Sequence, residues 1–108
     1  MANEESYLKA ILTLMGHQAF TVPQVAEMVG VGKTKQIDAF NACDGSRTQG
    51  EIAKLLSLDK GNFSRTVARW VEAGIMFRIA EGADARLLHV FPIPSRFKKP
   101  GRETERGE

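Results

Sequence analysis

Asp59-Lys60-Gly61-Asn62-Phe63-Ser64-Arg65-Thr66-Val67-Ala68-Arg69-Trp70-Val71-Glu72-Ala73-Gly74 divides its side chains between two faces of a helix. Phe63, Val67, Trp70 and Gly74 recur at i, i+4, i+7 and i+11, which gathers the apolar bulk on one side. Lys60, Asn62, Arg65, Thr66 and Arg69 take the other, with Glu72 displaced to the last turn. Asp59 has the short carboxylate of an N-cap, and Gly74 can enter the left-handed conformation that ends a helix. A helix of this kind suits an anionic surface rich in hydrogen-bonding groups.

Upstream, Thr48-Gln49-Gly50-Glu51 has the spacing of a capping box, in which a hydroxyl and a carboxylate each satisfy a backbone donor at the other's position. The helix it opens, through Leu56, is expected to bury Ile52, Ala53, Leu55 and Leu56. Only Ser57 and Leu58 separate it from the Asp59 cap, the length of link that makes a sharp helix-turn-helix.

Downstream of Gly74 the period changes from helical to alternating. Ile75, Phe77 and Ile79 alternate with Met76, Arg78 and Ala80; Glu81-Gly82-Ala83-Asp84 reads as a turn; Arg86 to Phe91 runs back until Pro92 stops it. A hairpin attached to the second helix of a helix-turn-helix is the wing of a winged-helix domain. The expected order from Lys33 to Pro92 is therefore helix, helix, helix, hairpin, a mainly α fold with a small β-hairpin.

The 108 residues, 43% of them hydrophobic, suffice for one compact domain and leave little for a second core. No apolar run approaches the roughly 20 residues of a membrane span. The start, Met1-Ala2-Asn3-Glu4-Glu5, is acidic where a secretory signal is basic, and the single cysteine, Cys43, has no internal disulfide partner. The expectation is a cytoplasmic protein with Cys43 as buried packing. Charge is unevenly spread: residues 1–45 hold three Lys/Arg against five Asp/Glu, residues 46–108 twelve against eight, so the basic excess lies with the helix-turn-helix.

Toward the N-terminus, Ser6 to Met15 carries Tyr7, Leu8, Ile11, Leu12, Leu14 and Met15 around much of a short helix that Gly16 is expected to end. Two readings of it stand, packing on its own domain or pairing with a second copy. Phe20 to Asn41 reads as two more helices. Thr21-Val22-Pro23-Gln24 repeats the capping box, Val25, Ala26 and Val29 supply a buried face, and the helix from Lys33 buries Ile37 and Phe40. Laid on Thr48, Thr21 begins a match at an offset of 27 residues, the same helix-turn-helix logic used twice. The earlier copy reads as scaffold, because Gly32 replaces the cap and Asp38 interrupts the basic face. Gly30-Val31-Gly32-Lys33-Thr34 imitates the end of a nucleotide-binding P-loop, but the motif needs a glycine where the chain has Glu27, and a parallel sheet as well.

Thr48-Gln49-Gly50-Glu51-Ile52-Ala53, Ser64-Arg65-Thr66-Val67, Glu72-Ala73-Gly74-Ile75 and Asp84-Ala85-Arg86 carry a resemblance to the winged-helix domain of MarR-type regulators, over about Ile37 to Pro92. The resemblance implies that Asp84 orients Arg86, which enters the minor groove; the bare residues equally read as a turn followed by a surface arginine. Only seventeen residues follow Phe91, so the family's long C-terminal helices, and the ligand sensing that goes with them, are not expected. ArsR-type metal sensors share the fold, but one cysteine and two isolated histidines, His17 and His89, make no ligand cluster. No cofactor or metal is expected, and no nucleophile with its base and orienting partner can be assembled.

The resulting organisation is a helical extension (1–32), a winged helix-turn-helix (33–92) and a basic, disordered tail (93–108). Double-stranded DNA is the expected partner, bound by a homodimer. Lys60, Asn62, Ser64, Arg65, Thr66 and Arg69 would enter the major groove, Gln49 would hold phosphate, and Arg78, Asp84 and Arg86 would act from the wing. The rival readings are a winged-helix protein-interaction module and a partition or replication DNA-binding protein.

Overall fold

Both capping boxes form. In the computed structural model, which describes residues 4–80 and 85–99, the Thr21 and Gln24 side chains accept from each other's backbone N–H groups at 3.2 and 2.8 Å. Thr48 and Glu51 make the same exchange at 3.2 and 2.8 Å. The helices are α1 (Glu4–Ala19), α2 (Val22–Val29), α3 (Thr34–Asn41), α4 (Gln49–Leu55) and α5 (Lys60–Ala73). The strands are β1 (Asp44–Thr48), β2 (Met76–Ile79) and β3 (Arg86–His89), and a 3-10 turn follows at Ser95–Phe97. Helix α5 ends as expected, with Gly74 at φ 85°. From α3 to β3 the order is that of a winged helix-turn-helix.

The hairpin forms with Met76 opposite His89 and Ile79 opposite Arg86; the turn expected at Glu81 to Asp84 lies outside the described residues. An unexpected third strand joins it. Asp44-Gly45-Ser46-Arg47-Thr48 has no apolar side chain and no alternation, and Asp and Gly are poor strand formers. It is a strand because β3 has an open edge: Asp44 lies opposite Leu88 and Thr48 opposite Arg86, giving the sheet order β1-β3-β2. Arg47 closes the α3–β1 corner by donating to the Ala42 carbonyl at 3.3 Å.

One core runs through the molecule. Ile37 and Phe40 of α3, Ile52 of α4, Phe63, Val67 and Trp70 of α5, and Met76 and Leu87 of the sheet share it with Val25, Ala26 and Val29 of α2. Leu55, expected inside, is 58% exposed, because the buried side of α4 follows Ile52, Ala53 and the half-buried Leu56. Cys43 is buried with its thiol on the Ala39 carbonyl, and burial followed by the Asp44 charge pushes that thiol up to about 12, which keeps it unreactive.

Helix α1 does not stop at Gly16 but runs through it. Gly16 is where α1 meets the chain after β3: a Cβ there would lie 3.0 Å from Val90 Cβ, and the next residue, His17, stacks on Phe91 at 4.1 Å. A glycine at this point serves close approach instead of termination. The inward stripe is Glu5, Lys9, Leu12 and Gly16, at i, i+4, i+7 and i+11.

Residues 93–99 also depart from expectation, since they are docked instead of disordered. The Asn41 amide donates to the Ile93 carbonyl at 2.9 Å and accepts from the Ile93 N–H at 2.8 Å, while the Ile93 side chain is buried. Gly32 N–H donates to the Phe97 carbonyl at 2.8 Å, Lys99 N–H donates to Thr34 Oγ1 at 2.9 Å, and Lys98 pairs with Asp38 at 2.7 Å. The expectation failed because composition alone is polar and proline-rich here; the partners are all on or beside α3.

Asn41→Ala leaves both Ile93 backbone groups without their partner, so urea unfolding should show a loss of about 1–3 kcal/mol. His89 supplies a second test. Its Nδ1 is buried without a partner, its ring stacks on Phe40 at 5.6 Å, and burial lowers its pKa below the ordinary 6.5. The unfolded chain therefore binds the proton more readily than the folded one. Stability should be constant with respect to His89 above about 6.5 and fall as pH drops below it, and His89→Gln should flatten the urea midpoint between neutral and mildly acid pH.

Candidate nucleic-acid interface

Helix α5 begins where Asp59 accepts from the Asn62 N–H at 2.8 Å, which satisfies a first-turn donor and fixes the entry angle of the helix. Its rotation is set from below. Trp70 meets Phe40 of α3 edge-on at 5.1 Å and 89°, and meets Phe63 at 6.2 Å and 79°. With Phe63, Val67 and Trp70 buried, Lys60, Asn62, Ser64, Arg65 and Arg69 are left exposed. The structure thus leaves these five residues on the solvent-exposed part of α5, which runs from Lys60 and Ser64 round to Arg65, Arg69 and Asn62. Phe63 and Trp70 are core, not stacking platforms for bases.

The exposed residues are partly organised before any partner arrives. Asn62 Oδ1 accepts from Arg65 Nη2, which draws the guanidinium back over the first turn. A Cβ built on Gly61 would lie 3.5 Å from Asp59 Oδ2 and 3.8 Å from Arg65 Nη1, so Gly61 sits between the capping carboxylate and the arginine. An arginine held by an amide loses less rotamer freedom on binding than a free one. Arg69, one turn on, is exposed as well.

Thr66 is half-buried and turns sideways. With Asn62 it lines a cleft of about 240 Å³ between α3 and α5, whose other walls include Lys35, Gln36 and Trp70. The cleft carries the polar surface of α5 onto α3. Lys35 was legible only as a basic residue of the scaffold copy, and its place beside the α5 face depends on Phe40 packing against Trp70. No local pattern in the chain signals it.

The remaining expected residues lie elsewhere on the domain. Gln49 is the first residue of α4 and is half-buried beside the Thr48 cap. Arg78 is exposed on β2, opposite Leu87. Asp84 falls outside the described residues. Arg86 starts β3, and its Nη2 is 3.2 Å from Glu5 Oε2 of α1, a contact that sequence reasoning missed.

Among the described residues no group of three or more His, Cys, Asp and Glu side chains is placed to hold a metal ion, and no helix is long and apolar enough to cross a membrane. Residues 36–87 match the family model of the MarR family. The matched stretch runs from α3 into β3, and the order of helices and strands just described is consistent with a MarR-type winged-helix domain. Comparison with curated proteins and with solved structures finds no match.

Proposed function

From a MarR-type winged-helix domain over residues 36–87, we propose that the protein is a sequence-specific double-stranded DNA-binding transcriptional regulator. The observation that carries this reading is the outward face of α5. Lys60, Asn62, Ser64, Arg65 and Arg69 are exposed on a helix whose Phe63, Val67 and Trp70 are buried in the core. In the major groove an arginine fork matches guanine O6 and N7, and an asparagine amide matches adenine. Thr66 and Lys35 line the cleft beside Asn62, and Gln49 at the start of α4 would hold backbone phosphate. Arg78 on β2 and Arg86 on β3 would reach the adjacent minor groove or its phosphate backbone, and the family resemblance gives Asp84 the role of orienting Arg86.

The working unit is a homodimer paired through α1. The apolar residues of this helix are on the wrong side for its own domain: Tyr7, Leu8, Ile11, Leu14 and Met15 are 60%, 50%, 51%, 61% and 58% exposed, while the inward stripe is Glu5, Lys9, Leu12 and Gly16. Five large apolar side chains along one helix form a patch of the kind that soluble monomers rarely expose. A second copy has the same stripe, and a two-fold pairing of like helices covers both at once. A dimer also presents two copies of α5 to a duplex, which favours a palindromic site.

Arg65→Ala should cost about 1–3 kcal/mol on a specific duplex and relax sequence choice, with little change on random duplex. The sequence for this measurement comes from selection out of a random pool. A folded Arg65→Ala/Arg69→Ala protein that binds both duplexes like the wild type would refute the α5 assignment. For the dimer, sedimentation should show two copies of the wild-type chain and one of an Ile11→Asp/Leu14→Asp variant. A wild type that stays monomeric at high concentration would remove the α1 pairing while leaving DNA binding open to its own test.

A further inference from the structure

Arg86 occupies the first position of the central strand, with Thr48 and Ile79 as its cross-strand partners. Its guanidinium already has an anion. Glu5 reaches it from the first turn of α1, and the two side chains stay 34% and 39% exposed. The far end of the same α1 stripe is seated by Gly16 against Val90 and by His17 on Phe91. At about 1.5 Å per residue, α1 carries the Glu5 carboxylate roughly 16 Å from that seat to the edge of the wing.

We propose that Glu5 is an internal substitute for a DNA phosphate: it holds Arg86 in the free protein and is exchanged for phosphate on the duplex, so that α1 sets how much affinity the wing contributes. This rests on the DNA-binding reading above and adds to it a contact that restrains binding. Carboxylate and phosphate are both oxyanions that accept from the guanidinium fork, so they compete for the same donors. The pair is open to solvent, which screens its attraction and keeps the exchange near balance. A fully buried pair would instead hold Arg86 permanently. Because the opposite side of α1 carries the exposed Leu8, Ile11 and Met15, whatever occupies that side also bears on where Glu5 sits.

The test uses the full chain on one duplex over a range of salt concentrations. Glu5→Gln keeps the size and shape of the side chain and removes its charge, and should tighten binding roughly two- to fivefold. Glu4→Gln, in the same turn with the same charge, should gain less. In the Glu5→Gln protein, Arg86→Ala should abolish the gain and lower the slope of log K against log salt by about 1. Equal gains from the two glutamates would reduce the effect to overall charge and overturn the proposal. So would a Glu5→Gln gain that survives Arg86→Ala, or weaker binding by Glu5→Gln with an unchanged thermal midpoint. Failure of the wild type to bind any duplex would overturn the DNA-binding reading as well, and is distinguishable because it appears before any substitution is made.

Discussion

Trp70 sits edge-on to Phe40 on one side and Phe63 on the other, and that aromatic contact fixes the rotation of α5 about its own axis. Edge-to-face pairs contribute about 0.5–1.5 kcal/mol beyond the area they bury, and they are directional. A rotation of α5 by one residue, about 100°, would break both ring contacts and carry Arg65 and Arg69 away from the face they now occupy. The polar face of α5 is therefore a consequence of how its apolar face is seated. The cleft that brings Lys35 beside Asn62 and Thr66 follows from the same contact, since it is the space left between α3 and α5 above the rings.

The sheet is built to a different rule. Its central strand, β3, has hairpin partner β2 on one side and β1 on the other, and β1 forms from a sequence with little strand preference. Cover on the outer side of the sheet comes from a narrow line on α1, where Gly16 permits close approach and Lys9 passes over Gly45. The helix thereby spends its small and charged residues inward and leaves its large apolar residues facing out. An amphipathic helix laid on a domain normally does the reverse. The inversion is what makes α1 both a candidate pairing surface and the element that brings Glu5 to the wing.

Residues 93–99 join the two parts. They cross α3 under a reciprocal hydrogen-bond pair with Asn41 and end at Thr34, so the chain beyond the hairpin braces the helix on which Trp70 rests. Lys98 is held by Asp38 in this arrangement, and Arg96 lies 4.7 Å over the Phe97 ring. Of the basic residues that composition assigns to a free tail, Lys98 is thus engaged with α3 and Arg96 with the neighbouring ring of Phe97. Asp38, which as sequence only interrupts a basic face, is the partner of one of them.

Much of the fold was legible along the chain. Asp59, Gly74 and the two capping boxes marked helix ends because a cap is satisfied within three or four residues, and the Phe63–Val67–Trp70 stripe and the alternation after Gly74 are equally local periodicities. They determined the winged-helix order, the core face of α5 and the outward set of Lys60, Asn62, Arg65 and Arg69. What only the tertiary structure decided involves partners far apart in sequence: β1 against β3, Asn41 with Ile93 across 52 positions, Lys99 on Thr34 across 65, and Glu5 on Arg86. Such contacts leave no period and no motif. Gly16 shows the difference in a single residue, since its sequence reads as a helix stop, and only the approach of Val90 reveals it as the place where a continuing helix meets the chain after β3.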